Sequence, residues 1–117
     1  FPASKLRWLL DSRPDLRTRL KNGTALFGTM DTYLIYRLTD GNVYATDHTN
    51  ASRTLFYDIE TLQWSPDLCN LFGVEFGVLP EIRESMAWYG DTDLKGFLDR
   101  RIPICGVMGD SQAALFC

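Results

Sequence analysis

The first twenty residues place leucines at helical spacing between charged and polar positions. Residues 6–10 put three leucines on one face of a helix, and Pro14 then forces a break or a fresh start. Two leucines four positions apart predict a second helix over residues 16–20, and Asn22-Gly23 is typical of a helix end. The pattern therefore predicts two short amphipathic helices in succession.

Short apolar runs then alternate with helical patterns. Residues 24–27 predict a short strand, and the helix that follows is expected to begin at Thr29 or Asp31 and to end near Gly41. Residues 43–46 predict another short strand. Strands that alternate with helices in this way are typical of an α/β fold.

The middle of the chain is polar. Residues 47–54 are rich in side chains that bond their own backbone, which favours a turn or a single helical turn. On these residues alone, the interpretation is a loop whose polar groups satisfy one another. Residues 55–59 predict an extended segment with Leu55 and Tyr57 on one face.

A further helix is predicted at Ser65-Pro66-Asp67. Serine can cap a helix, proline fits its first position, and aspartate favours the positive end of its dipole. The expected buried face is Leu68, Leu71 and Phe72, with the helix closed by Gly73. Two less regular segments come next, an extended connection over residues 79–83 and a helical or looped stretch over residues 93–101.

The last fifteen residues carry the strongest candidate chemistry. Residues 102–108 form an apolar run that predicts a buried strand, Gly109 follows, and Asp110 stands where a helix can begin. Ligands of open α/β sheets bind at the carboxyl ends of strands, so Asp110 is a candidate general base. A helix-capping aspartate would occupy the same place, and the local pattern alone favours that alternative.

Composition narrows the functional classes. The chain has 117 residues, 45% hydrophobic and 23% charged, which predicts one soluble globular domain. A formal net charge of −3 gives neither nucleic acid nor an anionic membrane a broad electrostatic attraction. The apolar runs are too short to span a membrane and no leader pattern opens the chain, so we expect a cytoplasmic protein. The end of the chain so soon after Asp110 suggests a piece of a longer protein.

Other chemistry-bearing residues form no recognisable motif. Three cysteines with one histidine make no zinc pattern, which predicts reduced thiols, with Cys105 packed as a small hydrophobic residue. Three scattered tryptophans favour packing over sugar stacking. Neither a Walker A loop nor a Gly-x-Gly-x-x-Gly fingerprint occurs, so any phosphate-binding loops must lie outside this chain.

Four segments together resemble the FGGY family of carbohydrate kinases. Residues 5–11, Lys-Leu-Arg-Trp-Leu-Leu-Asp, resemble one family helix, and residues 27–35 resemble its Phe-Gly-Thr-x-Asp-Thr-Trp-Leu-Ile segment. Residues 46–54, Thr-Asp-His-Thr-Asn-Ala-Ser-Arg-Thr, resemble most closely the branch that phosphorylates glycerol. Residues 109–114 resemble the Gly-Asp-Gln-x-Ala-Ala motif, with Ser111 in place of its glutamine.

The resemblance implies an actin-like, ribonuclease-H-like α/β fold of two domains around an active-site cleft. Residues 1–117 would be the second, C-terminal half of the first domain. The longer protein would transfer the γ-phosphoryl group of ATP to a primary hydroxyl of a polyol with magnesium. Asp110 would be the catalytic base, would bind substrate together with Ser111, and would lie near the metal. We expect neither ATP nor magnesium to bind this chain alone.

Two alternatives stay open beside a glycerol-directed kinase. One is another kinase of the family that acts on a pentulose or a tetritol. The other is a non-catalytic α/β interaction module in which Asp110 is only a helix cap. The expected partners are a small polyol and the rest of the longer chain, with self-association of the isolated piece and without nucleic acid or membrane.

Overall fold

The computed structural model describes residues 1–116, which form two compact units. Residues 1–27 and 51–79 make the first unit, and residues 28–50 and 80–116 make the second. The α-helices are α1 (Pro2–Ser12), α2 (Pro14–Lys21), α3 (Met30–Leu38), α4 (His48–Ala51), α5 (Pro66–Phe72) and α6 (Asp110–Phe116). The strands are β1 (Ala45–Asp47), β2 (Tyr57–Asp58), β3 (Gln63–Trp64), β4 (Glu81–Arg83), β5 (Asp91–Thr92) and β6 (Ile102–Pro103), and a 3-10 turn covers Phe76–Val78.

The first unit is built on helices and aromatic side chains. The inner face of α1 buries Ala3, Leu6 and Leu10, whereas Leu9, the third leucine of the predicted face, is 39% exposed. Phe56 is fully buried, and its ring meets those of Phe27 and Phe72 edge-on, each at a centroid distance of 5.8 Å. Antiparallel β2 and β3 add the contact between Tyr57 and Trp64. The two predicted amino-terminal helices are confirmed.

The second unit packs α3 beside a parallel pair of strands. β1 runs parallel to β4, with Ala45 opposite Glu81 and Asp47 opposite Arg83. Antiparallel β5 and β6 form a separate ribbon. A buried core joins these elements: Ile35, Val43, Ala45 and Tyr89, with Ile104 and Val107 packed against it. β1 ends at Asp47, which is also the first residue of the polar 47–54 segment.

Helix ends agree with the turn chemistry of the sequence. The Ser65 hydroxyl accepts the Leu68 N–H at 3.3 Å, which caps α5 as predicted. Gly73 ends that helix with φ +66°, a left-handed conformation that glycine adopts without strain. Residues 47–54 contain the single short helix α4, and residues 93–101 form a loop. Both of those predictions are confirmed.

Two predicted features in the first unit are wrong. Residues 24–27 form no strand, because the N–H groups of Thr24 and Ala25 both bond the Arg19 carbonyl at the end of α2. Leu55 has φ +67° and is 40% exposed, whereas Tyr57 is buried. The positive φ interrupts the alternation that would place both side chains on one face.

Several packing predictions also fail. Leu71 is 73% exposed, and Cys69 is the buried residue of α5 instead. Trp8 and Trp88 are exposed, whereas Trp64 packs as expected. The cysteine prediction holds only in part, because Cys69 and Cys105 are free thiols but Cys105 is exposed, and Cys117 lies outside the described residues.

The buried strand expected over residues 102–108 is much shorter. Only Ile102–Pro103 pairs with β5, and Ile104 extends the pairing through bonds with Tyr89 and Gly90. Beyond that point Val107 donates to the Ser85 carbonyl, and no described strand pairs with residues 105–108. The run is apolar enough for a buried strand, but its backbone meets a sheet partner only at its start.

Candidate functional site

Asp110 is the first residue of α6, immediately after an extended segment. The Gly109 carbonyl accepts the first helical bond, from Ala113 N–H at 2.8 Å, so Gly109 takes the capping position rather than Asp110. Asp110 is exposed, and its Oδ1 accepts the Ser111 N–H at 2.7 Å. Within residues 1–116, no hydrogen bond or ion pair engages Oδ2. This oxygen can therefore accept a proton from a ligand.

Ser111 lies beside the same carboxylate. Its side chain is exposed, and its Oγ lies 3.4 Å from Asp110 Oδ1. The two predicted site residues thus lie together at the start of α6. A small polyol bound at Asp110 could reach the Ser111 hydroxyl as well.

Gly109 is anchored from a distant part of the sequence. It is buried, and its N–H donates to Thr49 Oγ1 at 2.7 Å. A Cβ added at Gly109 would lie 2.6 Å from the flexible end of Gln112 and 3.4 Å from Thr49 Oγ1. Thr49 Oγ1 would lie at an ordinary van der Waals distance from this Cβ, so the tight contact would be with the Gln112 side chain.

The buried carboxylate of Asp47 holds Thr49 in turn. Its Oδ2 accepts the Thr49 hydroxyl at 2.7 Å, the Thr49 N–H at 3.1 Å and the Ser85 hydroxyl at 2.7 Å. Its Oδ1 accepts the backbone N–H of Asn50 at 3.0 Å and the side-chain amide of Asn50 at 2.8 Å. Asp47 is wholly buried, so these bonds replace its hydration.

Electrostatics at Asp47 follow from the same contacts. Burial by itself raises the pKa of the carboxyl, because it disfavours the charged form. Hydrogen bonds from Ser85, Thr49 and Asn50 stabilise the anion and together outweigh burial, so the pKa of Asp47 lies below its ordinary value. Asp47 is an anion at neutral pH.

Thr49, Asp47 and Ser85 are the residues that sequence reasoning missed. The polar 47–54 segment was interpreted as a self-satisfied loop, which is correct for the bonds from Thr49 and Asn50 to Asp47. The bonds to Ser85 and Gly109 join positions 38 and 60 residues apart and have no local signal. An aspartate directly after a strand, followed by donors two and three positions later, was the available hint.

A second carboxylate ties α3 to β1. Asp31 accepts the Thr46 hydroxyl at 2.6 Å and the Thr29 hydroxyl at 2.5 Å. Thr29 occupies the capping position of α3 as predicted, but its side chain makes no cap bond. Side-chain bonds therefore connect the Thr29–Asp31 segment, the strand β1 and the α4 turn.

Other candidate chemistry is sparse. His48 Nε2 lies 3.6 Å from Glu84 Oε1 on the surface of this unit. Among residues 1–116, no three His, Cys, Asp or Glu side chains gather closely enough to hold a metal ion. The described helices also include none that is long and apolar enough to cross a membrane.

Comparison with known proteins identifies the family. The model of the FGGY family of carbohydrate kinases, N-terminal domain, matches residues 1–117. The chain belongs to the FGGY family of carbohydrate kinases. The resemblance carried by its sequence motifs is thereby confirmed.

Individual FGGY relatives are similar in sequence to this chain over nearly its whole length. It is 53% identical to a glycerol kinase of Thermococcus onnurineus over 116 residues, which cover 99% of this chain and 23% of the relative. It is 47% identical to a glycerol kinase of Desulfitobacterium hafniense, covering 99% of this chain and 24% of the relative. The chain thus spans about a quarter of these curated FGGY kinases.

Solved FGGY structures share the fold. A crystal structure of Plasmodium falciparum glycerol kinase with ADP matches with a TM-score of 0.87 and 42% identity, over 97% of this chain and 23% of that one. A gluconate kinase from Lactobacillus acidophilus matches with a TM-score of 0.76 and 22% identity, over 95% of this chain and 22% of that one, and shows the fold alone.

Proposed function

We propose that this chain is the C-terminal half of the N-terminal domain of a longer glycerol kinase, called the parent below. The parent would transfer the γ-phosphoryl group of ATP to a primary hydroxyl of glycerol. The observation that carries the substrate is the 53% identity to a protein named glycerol kinase across 116 residues. Its partners would be glycerol and the rest of its own chain, and its location the cytoplasm.

Asp110 would be the general base. The Ser111 N–H occupies Oδ1, which leaves Oδ2 available for the substrate hydroxyl. As the hydroxyl oxygen forms its bond to the γ-phosphorus, its proton passes to Oδ2, and the bond from phosphorus to the ADP oxygen breaks. Phosphoryl transfer depends mostly on position and charge, and a base adds about 10²- to 10⁴-fold in rate.

Ser111 would contact the hydroxyls of the same substrate. Its hydroxyl can donate and accept, as a polyol hydroxyl requires. It is shorter than the glutamine of the family motif, so its contact must be direct and close. Removal of the Ser111 hydroxyl should raise the KM for glycerol, because its hydrogen bond to the substrate forms before the transition state.

Asp110 would be the residue of this chain that helps to hold the magnesium ion used with ATP. Mg²⁺ in nucleotide sites takes one or two carboxylates and completes its shell with phosphate oxygens and water. The exposed Asp110 carboxylate fits one such ligand. Among residues 1–116, no group of three or more His, Cys, Asp or Glu side chains could hold the metal without it. When bound, the metal would neutralise charge on the phosphates.

The alternatives differ in measurable ways. A pentulose or tetritol kinase would use the same Asp110 base, and comparing kcat/KM for the three polyols decides among them. In a non-catalytic module, Asp110 would only stabilise the start of α6. Gly109 occupies the capping position in α6, which favours a chemical role for the Asp110 carboxylate.

The deciding experiment replaces Asp110 with asparagine in the full-length parent. Asparagine keeps the size and polarity of the side chain but cannot serve as the base, so turnover should fall by about 10²- to 10⁴-fold. The melting temperature should change little, because loss of one exposed negative charge in the first turn of a helix costs only about 0.3–1 kcal/mol. Asp99→Asn, on an exposed loop, is the matched control. Wild-type turnover in the Asp110 variant would remove this residue from the mechanism.

A further inference from the structure

The Thr49 hydroxyl connects a buried anion to the residue that precedes Asp110. Its Oγ1 lies 2.7 Å from Asp47 Oδ2 and 2.7 Å from the N of Gly109. A carboxylate can only accept, and a backbone N–H can only donate. The single hydroxyl proton of Thr49 must therefore point to Asp47, which leaves a lone pair directed at Gly109.

Asp47 holds this arrangement in one orientation. The N–H groups of Thr49 and Asn50 bond its two oxygens, and the Ser85 hydroxyl adds a bond from outside the turn. The carboxylate is completely buried, so water cannot replace these donors. Rotation of Asp47 would leave these partly buried donors unpaired, which is unfavourable.

The anchored residue controls the start of α6. The N–H of Gly109 bonds Thr49, and its carbonyl accepts the Ala113 N–H that opens the helix. Both polar groups of Gly109 are thus fixed, one by the turn and one by the helix. Asp110 follows Gly109 directly in the chain. The backbone that carries the Asp110 carboxylate is therefore held in place by these two bonds.

We propose that Thr49, oriented by Asp47, is a positioning residue for the Asp110 carboxylate in phosphoryl transfer. The proposal rests on the function proposed above. Displacement of a reacting group by about 1 Å can reduce the rate about 10²-fold. The anchor thus contributes to turnover without touching the substrate.

The test compares three variants of the full-length parent. Thr49→Val keeps the shape of the side chain and removes its hydroxyl, while Thr49→Ser keeps the hydroxyl. Thr39→Val is the control, because the Thr39 hydroxyl also bonds twice: it donates to the Ile35 carbonyl at 2.8 Å and accepts the Val43 N–H at 3.1 Å. Thr39 is buried, whereas Thr49 is partly buried. The substitution removes a hydroxyl that donates one bond and accepts one bond in the same unit, and neither bond involves the start of α6.

Two readouts are needed, steady-state kinetics and hydrogen exchange of peptides that contain Gly109. Thr49→Val should lower kcat by about 10-fold or more, with the KM for ATP unchanged and faster exchange at Gly109. Thr49→Ser should restore both readouts. Thr39→Val should lower the melting temperature about as much as Thr49→Val does, because each loses one bonded hydroxyl. Its kcat should stay within about twofold of wild type.

Each failure has a distinct signature. Equal kcat in Thr49→Val and Thr39→Val, or unchanged exchange at Gly109, would overturn the positioning role while the kinase assignment stands. A parent that phosphorylates another polyol is assayed with that polyol, and the same comparison decides. A wild-type parent without any phosphotransfer, or full turnover in Asp110→Asn, would overturn the proposed function and this inference with it.

Discussion

At the scale of single residues, the buried Asp47 organises the candidate site. Its two oxygens bind donors from the α4 turn and from Ser85, and Thr49 extends this network to Gly109. Burying a charge is costly unless it is fully bonded. Asp47 meets that condition, and the short turn after β1 becomes a rigid support for α6.

The lowered pKa of Asp47 predicts a specific pH dependence of stability. Its folded-state pKa lies below the unfolded value of 3.8, so its stabilising contribution is present above that value. The contribution is lost as the pH falls through the folded-state pKa. In the parent, Asp47→Asn should cost about 1–3 kcal/mol near neutral pH, because an amide leaves at least one buried N–H unpaired.

Thermal melting of both proteins across the pH range measures this difference. The gap between wild type and Asp47→Asn should be constant from neutral pH down to about pH 5 and should narrow in more acidic solution. Asp99→Asn serves as an exposed control with a small effect throughout. A gap of constant size down to the lowest pH would contradict the assigned role of the anion.

At the scale of elements, close contacts determine where turns can form. Gly90 precedes β5 with φ +100°, and an added Cβ would lie 2.7 Å from Thr39 Cγ2 and 2.9 Å from Val43 Cγ2. The neighbouring Tyr89 is fully buried and pairs through its backbone N–H with Ile104. A glycine is therefore required where this chain passes the end of α3.

Gly90→Ala should destabilise the protein for two reasons that act together. Alanine disfavours this positive φ, and its methyl group collides with two side chains, so we expect a loss of about 2–4 kcal/mol. Chemical denaturation of the full-length parent gives the value. Gly77→Ala is the matched control, because its Cβ meets nothing within 4 Å. Equal stability of the two variants would refute the steric argument.

At the scale of the whole molecule, large apolar side chains remain on the surface. α6 buries none of its residues, and α1 and α3 each leave apolar side chains exposed. The most exposed of these on the three helices are Trp8, Met30, Tyr33, Leu115 and Phe116. Exposed apolar side chains of this size are available to pack against further protein.

The isolated 117-residue chain should therefore self-associate. Sedimentation velocity should show a mass that increases with concentration, because exposed apolar surface is removed from water in the oligomer. Phe116→Glu should weaken this association, and Gln63→Glu, which adds the same charge at an exposed polar residue, is the control. A strictly monomeric chain with a cooperative melt at high temperature would contradict the prediction.

The isolated chain should also neither bind ATP tightly nor phosphorylate glycerol. Its sequence has neither a Walker A loop nor a Gly-x-Gly-x-x-Gly fingerprint, the glycine-rich motifs whose backbone N–H groups bind nucleotide phosphates. Calorimetric titration with ATP and magnesium measures the affinity, with the full-length parent as the positive control. Micromolar affinity of the isolated chain would show that an ATP site lies within these residues.

Local chemistry in the sequence was sufficient for most helices and for the family. Leucine spacing, Pro14, the Ser65 cap and the Gly73 end act over a few residues, and α1, α2 and α5 follow from them. The motif around Asp110 likewise predicted a carboxylate at a helix start. These features depend on backbone geometry that neighbouring residues dictate.

Tertiary structure decided the features that depend on distant partners. Residues 102–108 are apolar enough for a strand, yet pairing with Tyr89 and Gly90 ends at Ile104. The anchor from Asp47 through Thr49 to Gly109 joins turns 60 residues apart. The sequence by itself determined the helices, the family motifs and the candidate base, because each has a local signature. The fold determined the support of that base, because a hydrogen bond between distant residues exists only once the chain brings both partners together.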